Sequence, residues 1–315
     1  MPVIRPQRGI PEYHVRQSPT AIMPKVPLRA LAVGPGSSGK TVALSALILD
    51  KDKFRNVFSR IFIWSPSVKV DDSWGPVRDY IRKELGHDET AEGPFMFETF
   101  NQADMDRVVR RQQKITETLK KAYAEKRYTG QKRLFQVLFL VDDMADSPQT
   151  VRKAGGALES CYVRYRHFQI STIISTQALK LISPCIRKNL TAGFFFRMRN
   201  ASELVLGILE EFSALVPREV LMKLYKAATA EPFQFLYINF LAPSVDEMFY
   251  KSFESRLVPH LADQEEAADP STEIATPSNA SASAGAVQRH GQRPQGAGGR
   301  GLGGDVAGPG PQGRG

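Results

Sequence analysis

Apolar residues gather in short runs separated by polar, helix-prone stretches. The runs Leu28–Val33, Arg60–Trp64, Phe95–Phe97, Leu134–Val141, Ile170–Thr176, Ala192–Met198 and Phe233–Phe240 predict strands. Several are continuously apolar rather than alternating, as expected of strands covered on both faces. Between them Val42–Leu49, Asn101–Arg127, Glu203–Glu211 and Arg218–Ala228 predict helices. The alternation holds from Val26 to about residue 260 and predicts an α/β fold: a central, mostly parallel sheet flanked by helices. The stretch Asn101–Arg127 carries eight Lys or Arg against four acids. Such a charge run reads as a solvated helix face before it reads as a DNA contact.

The two ends break the pattern. Residues 1–25 hold five prolines and several basic residues with no period, and predict an extended arm suited to docking on a neighbour. Residues 26–260 form the predicted folded domain. Residues 261–315 turn acidic, then rich in Ser, Ala and Thr, then rich in Gly, Gln, Arg and Pro. Twelve of the 24 glycines fall between Gly285 and Gly315. Too few apolar residues remain there to offset ordering entropy, so this tail is predicted to be disordered.

One loop carries the first chemistry. Gly34-Pro35-Gly36-Ser37-Ser38-Gly39-Lys40-Thr41 fits the phosphate-loop pattern G-x-x-x-x-G-K-[ST] at every specified position. A strand precedes it and a helix follows, which is the context the motif needs. The glycines let backbone N–H groups turn inward as an anion nest, and the helix N-terminus adds its dipole. Lys40 is expected to reach the terminal phosphates of ATP and Thr41 to hold Mg²⁺ through its hydroxyl. The second part is the apolar run ending in Asp142-Asp143. Asp142 is expected at Mg²⁺, and Asp143 nearer the γ-phosphate, where it polarises the attacking water.

Two further sites follow. Gln177 ends the run from Gln169, where it serves either as a sensor of the γ-phosphate or as a surface amide. Arginines that complete a phosphoryl-transfer site commonly come from a partner. Arg187, Arg164, Arg166, Arg197 and Arg199 are the candidates here, each with a surface ion pair as its alternative. His167 has no nucleophile to pair with and is read as structural or DNA-near. No H-E-x-x-H, no G-x-S-x-G and no Cys/His ligand spacing occurs, which leaves those hydrolase and metalloenzyme classes unsupported.

Charge and composition add little by themselves. The net charge of +9 points to a polyanionic partner. Two cysteines, Cys161 and Cys185, are too few for a disulfide framework and read as thiols of a reducing, intracellular compartment. No apolar stretch is long enough to span a membrane, and the N-terminus is not read as a secretory signal.

The order of parts resembles the genome-packaging ATPases of large and mid-sized double-stranded DNA viruses, the poxvirus-type branch of the HerA–FtsK superfamily. The resemblance rests on Gly34–Thr41, on Leu138–Asp143, on Tyr165–Ser171 with its Arg166-His167 pair, on Ile174–Gln177 and on Ile186–Asn189. It spans roughly Val26 to Tyr250. It implies a RecA-like P-loop core, assembly into a ring, commonly a hexamer, and ATP hydrolysis that drives double-stranded DNA into a capsid through a capsid or portal-like partner. It implies Lys40 and Thr41 at nucleotide and Mg²⁺, Asp142 and Asp143 as the acidic pair, Gln177 as sensor and Arg187 at a subunit interface. Many members have Asp-Glu where this chain has Asp142-Asp143, so the second acid is about one methylene shorter. A P-loop kinase, a cellular or plasmid DNA helicase or conjugation motor, and a nucleotide-switched assembly protein are the alternatives.

Overall fold

The computed structural model describes residues 13–125, 130–144 and 156–259. In chain order the strands are β1 (His14–Val15), β2 (Arg29–Val33), β3 (Arg60–Trp64), β4 (Met96–Phe97), β5 (Arg133–Leu134), β6 (Val137–Asp142), β7 (Ile170–Thr176), β8 (Ala192–Phe196), β9 (Phe235–Asn239), β10 (Phe249–Lys251) and β11 (Ser255–Leu257). The helices are α1 (Lys40–Leu49), α2 (Gly75–Lys83), α3 (Glu89–Glu92), α4 (Gln102–Ala124), α5 (Ala157–Val163), α6 (Pro184–Lys188), α7 (Glu210–Phe212) and α8 (Arg218–Ala228). A π-helical stretch, Glu203–Leu209, leads into α7.

Nine strands form one sheet in the order β11-β10-β9-β8-β2-β7-β6-β3-β4. From β8 to β4 every pairing is parallel, while β8-β9, β9-β10 and β10-β11 are antiparallel. The predicted class is therefore observed: a mixed α/β fold whose large sheet is mostly parallel and flanked by helices. All residues of β6, β7 and β8 are buried. This double-sided cover is why β6 and β8 read as nearly continuous apolar runs, while β7 buries Ser171, Thr172, Ser175 and Thr176 along with its isoleucines. Trp64 stacks on Phe97 at 5.0 Å, and Phe139 meets both Phe62 and Trp64 edge-on.

The basic helix α4 starts where Asn101 accepts a hydrogen bond from the Ala103 N–H. It turns Met105, Val108, Val109 and Tyr123 to the core and leaves most of its charges outside, as expected of an amphipathic surface helix. Gln112 is buried in the same stripe. Its amide donates to the carbonyls of Phe135 and Phe168, at 2.9 and 3.0 Å. One side chain thus ties the helix to the segments that enter β6 and β7.

Several boundaries differ from expectation. The run Leu134–Val141 is two strands, because β5 pairs with β1 and Gln136 falls between β5 and β6. Residues 13–25 of the predicted arm lie partly on their own chain. His14 and Val15 pair with Arg133 and Leu134, and the Gln17 amide brackets the backbone of Val26. The run from Phe233 starts only at Phe235, because Phe233 has a φ of 65°. Strand β8 stops at Phe196, two residues short of Met198. Strands β10 and β11 and helices α2 and α5 were not expected. Residues 1–12, the 126–127 end of the long helix, and the tail 261–315 lie outside the described residues.

Candidate nucleotide site

The phosphate-loop sequence leaves the C-terminal end of β2 and runs into α1. Gly39 sits just before α1 with φ 90°, and Ser37 is also left-handed at φ 60°. A side chain at position 39 would be strained there, and a Cβ at Gly34 would stand 2.6 Å from the Phe196 Cβ. The first glycine is therefore required for close packing on β8 and the third for the turn. Lys40 opens α1. Its Nζ donates to the carbonyls of Gly34 and Pro35, at 2.8 and 3.1 Å. The ammonium is thus folded onto the mouth of its own loop.

Strand β7 lies between the loop strand β2 and the acidic strand β6. Its end joins the two motifs. The Gly34 N–H donates to the Thr176 carbonyl at 3.1 Å, and the Asp143 N–H donates to the Ser175 carbonyl at 3.3 Å. Gln177 follows directly, exposed, at the strand end between the phosphate loop and the acids. Asp143 has a φ of 50°, which turns the chain sharply as it leaves β6. Asx residues tolerate this region better than most.

The closest link between the motifs is a side-chain hydrogen bond. Thr41 Oγ1 donates to Asp142 Oδ2 at 3.1 Å, across 101 residues of sequence. Asp142 is only 2 % exposed, and its Oδ1 is buried with no partner. Burial pushes the carboxyl above its ordinary pKa and the neighbouring Asp143 charge adds to that, against the nearby Ser175 hydroxyl, the Thr41 hydrogen bond and the Lys40 charge. An orphaned carboxylate oxygen beside a threonine hydroxyl is a hard-oxygen donor set that fits Mg²⁺, which is usually held by one or two carboxylates plus substrate phosphates.

The arginines divide in a way the spacing did not foresee. The Arg187 side chain is 17 % exposed; it donates to the Ile182 carbonyl and pairs with Glu211 at 3.1 Å. Its segment enters β8 beside Arg29, the first residue of β2, through the Thr191 N–H bond to the Arg29 carbonyl. That is the end of β2 opposite the phosphate loop, roughly 16 Å away at the usual rise per strand residue. Arg197 and Arg199 instead follow the end of β8, and Arg199 Nη2 lies 3.5 Å from the Gly36 carbonyl. Both are exposed. Arg164 and Arg166 flank the segment that enters β7, again at the far end.

Sequence reasoning placed Phe233 at the start of a strand and missed it as a site residue. It is 70 % exposed, and its ring approaches within 3.1 Å of where a Gly39 Cβ would stand. The signal was Pro232, which interrupts the approach to β9. With Arg197, Arg199 and Gln234, Phe233 lines a cavity of about 540 Å³ that opens onto Pro35, Ser37 and Ser38.

No family model matches the chain, and no curated protein does either. Among solved structures it is similar to the genome packaging NTPase B204 from Sulfolobus turreted icosahedral virus 2, in a complex with AMP. The identity is 16 %, the TM-score 0.43, and the match covers 68 % of this chain and 92 % of that one. It is also similar to EssC (ATPases 2 and 3) from Geobacillus thermodenitrificans, with 13 % identity, a TM-score of 0.43, and cover of 68 % and 38 %. The pCW3 conjugation coupling protein TcpA, with ATPγS, matches at 13 % identity and a TM-score of 0.37, covering 67 % and 56 %. Likenesses this distant assign no activity; the solved structures that the chain resembles are a viral genome-packaging NTPase, an EssC ATPase and a conjugation coupling protein.

Proposed function

We propose that the chain is an ATP-hydrolysing DNA translocase of the HerA–FtsK superfamily that packages double-stranded viral DNA into a capsid. The observation that carries the enzymatic part is the Thr41–Asp142 hydrogen bond, which joins the phosphate loop to a buried carboxylate with a free oxygen. In this reading the triphosphate lies on the loop Gly34–Thr41, facing the N–H groups of Gly36, Ser37, Gly39, Lys40 and Thr41, while the Gly34 and Ser38 N–H groups stay on the Thr176 and Pro35 carbonyls. Lys40 exchanges the Gly34 and Pro35 carbonyls for the terminal phosphates. Thr41 and Asp142 would hold Mg²⁺, which would supply charge neutralisation at the phosphates. Asp143 orients a water against the γ-phosphorus. The bond from that phosphorus to the β,γ-bridging oxygen breaks, giving ADP and phosphate, with the water's protons passing to phosphate and solvent. Gln177 reports the loss of the γ-phosphate to the end of β7. Catalysis is positioning and charge neutralisation rather than covalent chemistry.

Arg187 fits a role toward a neighbour better than toward its own loop, because it stands at the far end of β2. Glu211 holds it in the single chain, and an incoming phosphate would compete with that carboxylate. The homo-oligomeric ring, the capsid or portal-like partner and the packaging role rest on the resemblance of the motifs. The DNA track is supported further by the net charge of +9, which favours phosphate contacts without base readout. The partition into an arm (1–25), an ATPase domain (26–260) and a disordered tail (261–315) belongs to the same proposal. Among the described residues no helix is long and apolar enough to cross a membrane.

Native mass measurement of the full chain with ATP and double-stranded DNA tests the ring. The expected result is a closed assembly of six copies. A monomer at every protein and nucleotide concentration would favour the kinase alternative.

A further inference from the structure

The sheet order restricts where a nucleotide can extend. On one side of β2 lie β7 and β6, with Asp142 and Asp143 at their ends. On the other lie β8 and β9. A triphosphate whose terminal phosphates face Lys40, Thr41 and Asp142 directs its remaining half toward β8 and β9. The 540 Å³ cavity lies on that side, between the phosphate loop, the end of β8 and the entry to β9. Its size suits a small ligand.

Three features of this cavity suit a nucleoside. Phe233 combines 70 % exposure with a left-handed backbone. A bulky residue in that region is an outlier, and such strain persists where surrounding structure holds it. Here the ring is set against Gly39, which has no Cβ to push it away. One aromatic edge is therefore seated on the phosphate loop while most of the ring faces the cavity. Second, Arg197 and Arg199 reach the same cavity, and among the described residues neither makes an ion pair. Their backbone is pinned. The Met198 N–H donates to the Tyr225 hydroxyl at 2.6 Å, and that hydroxyl donates to the Phe196 carbonyl at 2.9 Å. Third, Gln234 Oε1 accepts from Ser252 Oγ at 2.6 Å, which orients the amide at the cavity wall.

We infer that Phe233 is the platform on which the nucleobase stacks, and that Arg197 and Arg199 grip the sugar-proximal phosphate on that side. The inference rests on the reading of Gly34–Thr41 as a nucleotide site and adds the half of the ligand that the motif does not address. Stacking depends on a π-face that every base has. The phosphate loop alone fixes the triphosphate. ATP and inorganic tripolyphosphate therefore separate the two contributions.

Calorimetric titration of the full chain with each probe, in the presence of Mg²⁺, is the test. Phe233→Ala is expected to weaken ATP binding about tenfold, the scale of losing one base–aromatic stack, with tripolyphosphate binding changed less than twofold. Phe233→Tyr keeps the ring and is expected to bind ATP as the parent does. Equal ATP affinity in Phe233→Ala overturns the inference, as does an equal loss of both probes, which would mean that the ring only props the loop. Unchanged ATP affinity with lost DNA stimulation also overturns it and assigns the ring to nucleic acid. Lys40→Ala is expected to weaken both probes. If it weakens neither, or if the parent binds neither, the phosphate-loop reading falls, and this inference with it.

Discussion

Lys40→Ala is expected to abolish ATP hydrolysis and to leave the fold intact. Among the described residues the side chain makes its hydrogen bonds to the Gly34 and Pro35 carbonyls, both inside its own loop. Alanine is the best helix former and stands at the first position of α1, where no intrahelical donor is lost. The bond to the Gly34 carbonyl is buried and the one to the Pro35 carbonyl is part-buried. The stability cost is that of one or two modest hydrogen bonds, about 1–2 kcal/mol. The catalytic loss is far larger, because an ammonium aimed at developing phosphate charge in a sheltered site has no substitute there. A fall of at least about 10³-fold in phosphate release is expected. Circular dichroism and a thermal melt should overlay those of the parent to within a few degrees. Full residual hydrolysis would remove Lys40, and the loop with it, from the mechanism.

Asp142→Asn separates catalysis from stability in the opposite sense. The carboxylate is buried, and one of its oxygens has no partner. Burial raises its pKa above the model-peptide value of 3.8. The native state therefore binds the proton more readily than the unfolded chain does. The cost of the ionised form sets in as pH rises above the unfolded value and grows until pH has passed the raised folded one. Asparagine keeps an oxygen to accept from Thr41 and removes that charge. The variant is expected to melt no lower than the parent without Mg²⁺, and to lose the parent's stabilisation when Mg²⁺ and ATP are added. Hydrolysis should fall at least about 10²-fold. A variant that hydrolyses ATP normally would show that the buried carboxylate serves packing alone.

The parts of this site differ in how far they can be read from residue order. The loop Gly34–Thr41 and the acids at the end of β6 are local patterns, each set by its own strand and turn. Strands β3 and β7 were legible to the residue, β3 as an apolar run after Arg60 and β7 as a stretch rich in β-branched Ile and Thr. By contrast β10 and β11 have three residues each and follow the antiparallel edge, too short for any period to register. Helix α2 begins at Gly75-Pro76, residues that read as a loop, although proline suits the first turn of a helix. The arginines show a different limit. Arg187 and Arg199 are twelve positions apart, yet they flank opposite ends of β8. Only the direction of that strand relative to β2 decides which of them meets the phosphate loop. Phe233 was hidden for a related reason. An aromatic beside an apolar run reads as strand, and nothing local reveals that its backbone turns left-handed to rest on a glycine nearly two hundred residues earlier.

Coupling to DNA is the central claim, and steady-state phosphate release by the full chain tests it most directly. The assay compares turnover with and without double-stranded DNA across a salt series. The account predicts that DNA raises the ATPase rate and that the stimulation falls steeply with salt, since binding that neutralises phosphates releases counterions. A rate of ATP hydrolysis indifferent to DNA at every salt concentration would contradict it.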